Sequence, residues 1–199
     1  MVYLSKIYTR TGDDGSTMLA DGSRTAKHSL RVAAYGDVDE LNALLGVVRV
    51  EIERTDDGVP AAFRTKADGE LGRIQQELFD LGAELATPED TQGRRTKAGI
   101  PAAAADRLES WIDAWNAPLP PLRSFVLPGG GPVGAYVHLA RTVCRRAERT
   151  VAALCAETTV RPEPLRYLNR LSDYLFVLAR AAAHASGRSE VLWTPTERD

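Results

Sequence analysis

The residues best suited by type and spacing to do chemistry lie between Phe125 and Arg149, in the run FVLPGGGPVGAYVHLARTVCRRAER. A glycine-rich turn opens directly into a helical pattern that carries Arg141, Arg145, Arg146, Glu148 and Arg149. Guanidinium groups match the planar, multidentate geometry of phosphate oxygens. On a wheel of about 100° per residue, Ala140, Val143, Ala147, Val151 and Leu154 mark a core face. Arg141, Arg145 and Glu148 fall together on one flank of it, and Arg149 lies nearly opposite the core. Two readings stay open. The flank is a solvated charged face with pairs three and four residues apart, or it is an anion site, because crowded arginines repel one another until an anion intervenes. The obvious internal partners are few: Glu148, Asp39 and Asp173.

A second cluster is Thr9-Arg10-Thr11-Gly12-Asp13-Asp14-Gly15-Ser16-Thr17. Its small residues leave backbone N–H groups free to face an anion and add hydroxyl donors. It lacks the GK[ST] ending of a Walker A loop. The adjacent aspartates suit a water-mediated Mg²⁺; they suit an ordinary Asx turn equally well. Arg24 and Lys27 follow as cations within reach of the same phosphates. A third cluster, Tyr167 to Asp173, places Asn169 beside an apolar stripe, where an amide reads a nucleoside edge or completes a core hydrogen bond. His28, His138 and His184 stand on different elements, with no spacing that suits zinc.

These clusters must be positioned by helices. The chain has 199 residues, most simply one domain, with 1–35 an irregular segment, 36–187 a helical bundle and 188–199 a tail. Gly36-Asp37 reads as a helix start, because Asp37 and Glu40 have the spacing of a capping box. Val38, Leu41, Leu45, Val48 and Ile52 form its stripe, and Thr55 to Gly58 ends it. A second helix opens near Pro60, with Leu71, Ile74, Leu78, Leu81 and Leu85 inward, and Pro88 stops it. Residues 88–100 read as a basic, mobile connection. A third helix opens at Pro101 and carries Trp111 and Trp115, which bury best at a subunit contact or a bundle end. The arginine helix runs to about Ala156, after a turn at Gly129 to Gly134 that reads as loose. A last helix spans Leu165 to Ser186 and is capped by Gly187. The expectation is an all-α, five-helix up-down bundle with no convincing sheet.

A net charge of −2 argues against nonspecific nucleic-acid or anionic-lipid binding. No apolar run reaches the roughly 20 residues of a membrane span, and the N-terminus lacks a signal-peptide pattern, so a cytoplasmic protein is expected. Cys144 and Cys155 are too far apart along one helix to bridge and read as structural thiols.

Taken together, TRTGDDGSTMLADGSRTAKHSLRVAAYGDVDELNALLG, FVLPGGGPVGAYVHLARTVCRRAER and YLNRLSDYLFVLAR strongly resemble the PduO-type ATP:cob(I)alamin adenosyltransferase family, in the right order over nearly the whole chain. The resemblance implies a ferritin-like helical bundle with an irregular N-terminal ATP-binding segment, assembled as a homotrimer with active sites between subunits. It implies transfer of the 5′-deoxyadenosyl group of ATP to the cobalt of cob(I)alamin, with triphosphate released and Mg²⁺ accompanying ATP. By match to the family's motifs, Thr9, Thr11, Gly12, Ser16 and Lys27 approach the triphosphate. Arg141, Arg145 and Glu148 belong to the ATP site, and Asn169 contacts the nucleotide. Asp39 pairs across the subunit interface with Arg141, so Arg145, Arg141 and Asp39 form the catalytic set. Phe125 lies against the lower face of the corrin. No motif assigns Trp193 or the metal ligands. A flavin reductase and an adenosylcobalamin-dependent enzyme are the implied protein partners, with no role for nucleic acid or membrane. The rival reading is an adenosylcobalamin carrier that binds the cofactor without making it.

Overall fold

Hydrophobic stripes at helical spacing build five helices around one core. They are α1 (Leu30–Arg54), α2 (Ala61–Leu85), α3 (Ala103–Asn116), α4 (Gly131–Glu157) and α5 (Pro162–Ala185). This computed structural model describes residues 7–8, 10–54, 58–89 and 99–196. Within it α1 packs against α2 and α4, α4 against α5, and α3 against the outer side of α5. Leu41, Leu45, Leu71, Leu78, Val151, Leu168 and Leu175 are all fully enclosed, which supplies the main driving force for the bundle. The all-α, five-helix expectation holds. Most of the connection expected at 88–100, and residues 55–57 of the first turn, lie outside the described residues.

Several boundaries differ from expectation for identifiable reasons. The first helix begins at Leu30, not at Gly36-Asp37. Ser29 stands at its cap, with the Val32 N–H 3.5 Å from the serine hydroxyl and the Ala33 N–H donating to the Ser29 carbonyl. Asp37 and Glu40 therefore sit inside the helix, and both pair with Arg146 of α4. Pro162 lies within the first turn of α5, where a missing N–H costs nothing. A short antiparallel hairpin, β1 (Ser16–Met18) with β2 (Arg24–Ala26), stands where no sheet was expected, Thr17 opposite Thr25. Trp115 is buried and Trp111 half-buried, and both find ring partners within the chain. The Trp115 ring packs 4.9 Å from Phe63 and its indole N–H donates to Glu70, while Trp111 lies against Tyr174.

The glycine-rich turn before α4 is tight, contrary to expectation. Gly130 and Gly131 hold φ of 82° and 84°, a region L side chains avoid. At Gly134 a Cβ would stand 2.5 Å from the Gly129 carbonyl oxygen. Gly134 thus lets the preceding segment close onto the start of α4, while a Cβ at Gly130 would strike Ala183 of α5 and one at Gly131 would strike Arg188.

One face of α2 carries a buried acid every seven residues, at Glu70, Glu77 and Glu84. Glu70 accepts from Trp115 and the Tyr174 hydroxyl, and Glu77 from Tyr167, Arg73 and Arg107. Glu84, 2% exposed, accepts from the Ile100 N–H at 2.7 Å and pairs with Arg161 at 3.1 Å. This ladder ties α2 to α3 and α5. Glu84→Ala leaves a backbone donor and a guanidinium without their shared acceptor, so a loss of about 3 kcal/mol is expected in denaturant unfolding. A loss within experimental error would remove the ladder from the account of the fold.

Candidate active site

The N-terminal loop is built on its glycine. A Cβ at Gly12 would meet the Ser16 carbonyl oxygen at 2.9 Å and the Lys27 Cε at 3.1 Å. Gly12, Ser16 and Lys27 are thus brought together, with the Gly15 N–H donating to Gly12 and the Lys27 N–H to Gly15. Not all of the expected phosphate ligands are free. Ser16 donates its hydroxyl to Asp14 at 2.7 Å, and Arg24 pairs with Asp14 at 3.0 Å and also contacts the Thr11 carbonyl and Ser16. Arg24 therefore closes the loop instead of reaching outward. Those serine and arginine contacts hold the Asp14 carboxyl below its ordinary range, the Ser16 hydroxyl bond being the largest cause. Thr11 is exposed, and Thr9 lies outside the described residues.

The arginine face of α4 has a different character. Arg146 is neutralised by Asp37 and Glu40, a pairing not anticipated from sequence. Arg141 is half-buried, and its buried Nε has no hydrogen-bond partner among the described residues. Burial, and then the like charge of Arg145, hold its guanidinium below the ordinary value. Arg145 is exposed, four residues further on. A partly desolvated cation beside a second cation is a place where an anion gains on binding.

Between α4 and α5 runs an open groove of about 670 Å³, lined by Arg145, Glu148 and Asn169 together with Arg170, over Ala152 and Leu165. Asn169 donates to Glu148 at 2.8 Å, and Arg170 donates to the Asn169 carbonyl oxygen at 2.6 Å. Sequence set Asn169 beside the apolar stripe of the last helix but gave no sign of these partners. A larger groove of about 900 Å³ between α1 and α2 contains none of the expected site residues, and its Arg49 is already held by Asp68 and Gln75.

Asp39 is exposed on α1 and has no ion-pair partner among the described residues of its own chain. The expected pair with Arg141 is therefore not made within one subunit. The loop is anchored at a different element. Its hairpin is tied to the end of α2 by the Ala20 N–H on the Ala86 carbonyl. Arg31 at the start of α1 reaches Thr158 just past α4 at 3.5 Å. Arg145 lies 13 residues back from Thr158, about 20 Å along the helix axis.

Phe125 is 78% exposed, a large apolar ring left facing solvent. Its strand segment pairs with the tail: Leu127 donates to Val191 at 2.8 Å and Trp193 to Phe125 at 2.7 Å. The Trp193 ring meets the Phe125 ring edge-on at 6.3 Å. A buried pair anchors this tail, Arg180 at 4% exposure donating to Glu190 at 2.6 Å. Sequence gave no pairing for the tail, because two short runs so far apart carry no local signal.

Among the described residues no three of His, Cys, Asp and Glu gather where they could hold a metal ion. Asp14 is already engaged. The donor set fits a Mg²⁺ that arrives on phosphate oxygens and water, which needs one or two carboxylates at most; Asp13, exposed at the loop, is the available one.

The cobalamin adenosyltransferase family model matches residues 7–182. The chain belongs to that family. Among its relatives, a cobalamin adenosyltransferase of Cupriavidus metallidurans is 48% identical over 96% of this chain and 95% of its own. A corrinoid adenosyltransferase of Mycobacterium tuberculosis is 46% identical over 98% and 95%. A phenylalanine-to-alanine variant of the PduO-type ATP:corrinoid adenosyltransferase of Lactobacillus reuteri, complexed with cobalamin and ATP, superposes with a TM-score of 0.85 at 36% identity, covering 96% of this chain and all of that one. An arginine-to-lysine variant of the same enzyme, complexed with ATP, gives 0.81 at 36% identity over 94% of this chain and 100% of that one. Arg145, Glu148 and Asn169 line one surface, with Arg141 one helical turn before Arg145 on α4; Gly12, Ser16 and Lys27 form a second, and Phe125 stands on a third.

Proposed function

We propose that the three surfaces meet between copies of the chain, and that there the enzyme transfers the 5′-deoxyadenosyl group of ATP to the cobalt of a corrinoid. The observation that carries the reading is Arg141: a half-buried guanidinium whose buried Nε has no hydrogen-bond partner among the described residues, one helical turn before Arg145, which lines the groove. In the proposed homotrimer, Lys27 and the loop amides of one copy close over phosphates lying against Arg141 and Arg145 of its neighbour. Glu148 and Asn169 hold the nucleoside end. Asp39, without an ion-pair partner among the described residues of its own chain, pairs with the neighbour's Arg141.

The chemistry follows from the groups present. Cob(I)alamin is a strong nucleophile, so no activated Ser or Cys is needed. Cys144 cannot serve, since burial pushes its thiol far above the ordinary range. The cobalt lone pair forms a bond to C5′, the C5′–O bond breaks, and triphosphate leaves with that electron pair. Negative charge grows on the departing oxygen, and Arg145 and Lys27 are the groups placed to stabilise it. A Mg²⁺ on the triphosphate would add charge neutralisation. Phe125, with Trp193 against it, excludes water and the lower axial base from the corrin's lower face, which makes the cobalt easier to reduce. No helix among the described residues is long and apolar enough to cross a membrane. Action in the cytoplasm suits the two free thiols, with a flavin reductase upstream and an adenosylcobalamin-dependent enzyme downstream.

Mixing ATP with chemically reduced cobalamin should release triphosphate in equal amount with adenosylcobalamin. Binding of both ligands without triphosphate would establish the carrier reading instead. Asp39→Asn should raise the KM for ATP or lower the trimer mass seen by light scattering, by loss of a charged pair worth about 1–3 kcal/mol. Wild-type ATP affinity together with wild-type mass would remove Asp39 from the interface.

A further inference from the structure

Asn169 is one member of a four-residue chain that crosses three helices. Glu109 on α3 accepts from the Arg170 Nε at 2.6 Å. Arg170 donates from a second nitrogen to the Asn169 carbonyl oxygen at 2.6 Å, and the Asn169 amide nitrogen donates to Glu148 at 2.8 Å. An asparagine amide turns over easily about its last torsion, and its two ends present opposite hydrogen-bonding characters. A guanidinium donates only, and an ionised carboxylate accepts only. With Arg170 on one side and Glu148 on the other, the reversed amide would meet a donor with a donor and an acceptor with an acceptor. One orientation survives.

We infer that Arg170, itself steadied by Glu109, is a positioning residue that fixes the orientation in which Asn169 meets the nucleotide. The inference rests on the proposed reading of the groove as the nucleotide site. After its two protein bonds, Asn169 retains one N–H on the Glu148 side and one oxygen lone pair on the Arg170 side. A bound nucleoside therefore meets a donor and an acceptor at set places, and free turnover of the amide would scramble that pattern. Glu109 acts at one remove. Arg170 and Glu109 are respectively 36% and 45% exposed at the side chain, so their pair adds little to stability. Its effect belongs to geometry: the rigid fork of the guanidinium spans Glu109 and Asn169 in fixed directions, which the compact, freely rotating ammonium of lysine does not reproduce.

The test is a double-mutant cycle on the full-length enzyme, reading KM for ATP and kcat separately with preformed cob(I)alamin. Asn169→Ala and Arg170→Met should each raise the KM for ATP about fivefold to tenfold with a smaller change in kcat. The double variant should be no worse than Asn169→Ala alone, because the arginine acts through the amide. Arg170→Lys should recover less than half of the loss, and Glu109→Gln should shift KM in the same direction by about twofold to threefold. Circular dichroism melts should match wild type in all five. If the Arg170→Met loss multiplies in full on top of the Asn169→Ala loss, the arginine acts on its own and the inference falls while the nucleotide-site reading stands. If Asn169→Ala leaves the KM for ATP unchanged, the nucleotide-site reading falls and takes the inference with it.

Discussion

Arg145→Ala is expected to lower turnover at least a hundredfold while the helical content and melting temperature stay at wild-type values. One charged contact to a developing oxyanion is worth roughly 3–4 kcal/mol in a water-excluded site. The size of the effect carries the argument. In the single subunit Arg145 is exposed, and a solvated surface cation contributes only about 0–1 kcal/mol to any pairing. A hundredfold loss therefore requires that something cover Arg145 during catalysis, and the N-terminal loop of a neighbouring copy is the proposed cover. A loss below about tenfold would mean the arginine stays in water and has no place against the leaving group. Steady-state rates with preformed cob(I)alamin and saturating ATP decide between these outcomes.

Phe125→Ala gives the second large effect, and its signature is a split between two assays. When a reductase must generate cob(I)alamin on the enzyme, the variant should lose on the order of tenfold or more, since removing a ring that shields an apolar face costs about 1.5–3 kcal/mol. When cob(I)alamin is supplied chemically, the loss should be much smaller, because the difficult reduction has been bypassed. Equal losses in both assays would assign Phe125 to general corrin binding and not to protection of the lower face. The position of the ring supports the split: it is 78% exposed, held by tail pairing and the edge of Trp193, and so available to an incoming flat ligand.

The long helices were legible in the sequence because their stripes repeat at the helical period over about four turns. What misled was local chemistry with two uses. Asp37 and Glu40 have the spacing of a capping box, yet their partner is Arg146, more than a hundred residues away. Short-range patterns cannot report such a partner. The hairpin of three-residue strands was invisible for the same reason: six residues carry too little alternation to register. Arg141, Arg145, Glu148 and Asn169 could be proposed as one site from a helical wheel and a family resemblance. Their electrostatic states could not be. That Arg146 is neutralised while Arg141 keeps an unpartnered Nε depends on which acids the fold brings near. Arg24 was expected to reach outward and instead braces Asp14. The ladder of Glu70, Glu77 and Glu84 was readable in principle, since three acids at a seven-residue interval share one face and flank the stripe of Leu71, Ile74, Leu78 and Leu85. The pairing of residues 125–127 with the tail was not, because β pairing across some sixty residues leaves no local mark.

The central claim is spatial: the arginines of one copy and the loop of another make one site. Complementation tests it most directly. Arg145→Ala and Lys27→Ala variants, each inactive alone, would be co-expressed and purified as mixed assemblies. If each site draws its loop and its arginines from different copies, random mixing restores both intact halves in about a quarter of sites. Adenosylcobalamin formation should then recover to about that fraction of wild type. Mixed assemblies that stay as inactive as either parent would show that loop and arginines serve the same site from the same chain, and would contradict the account.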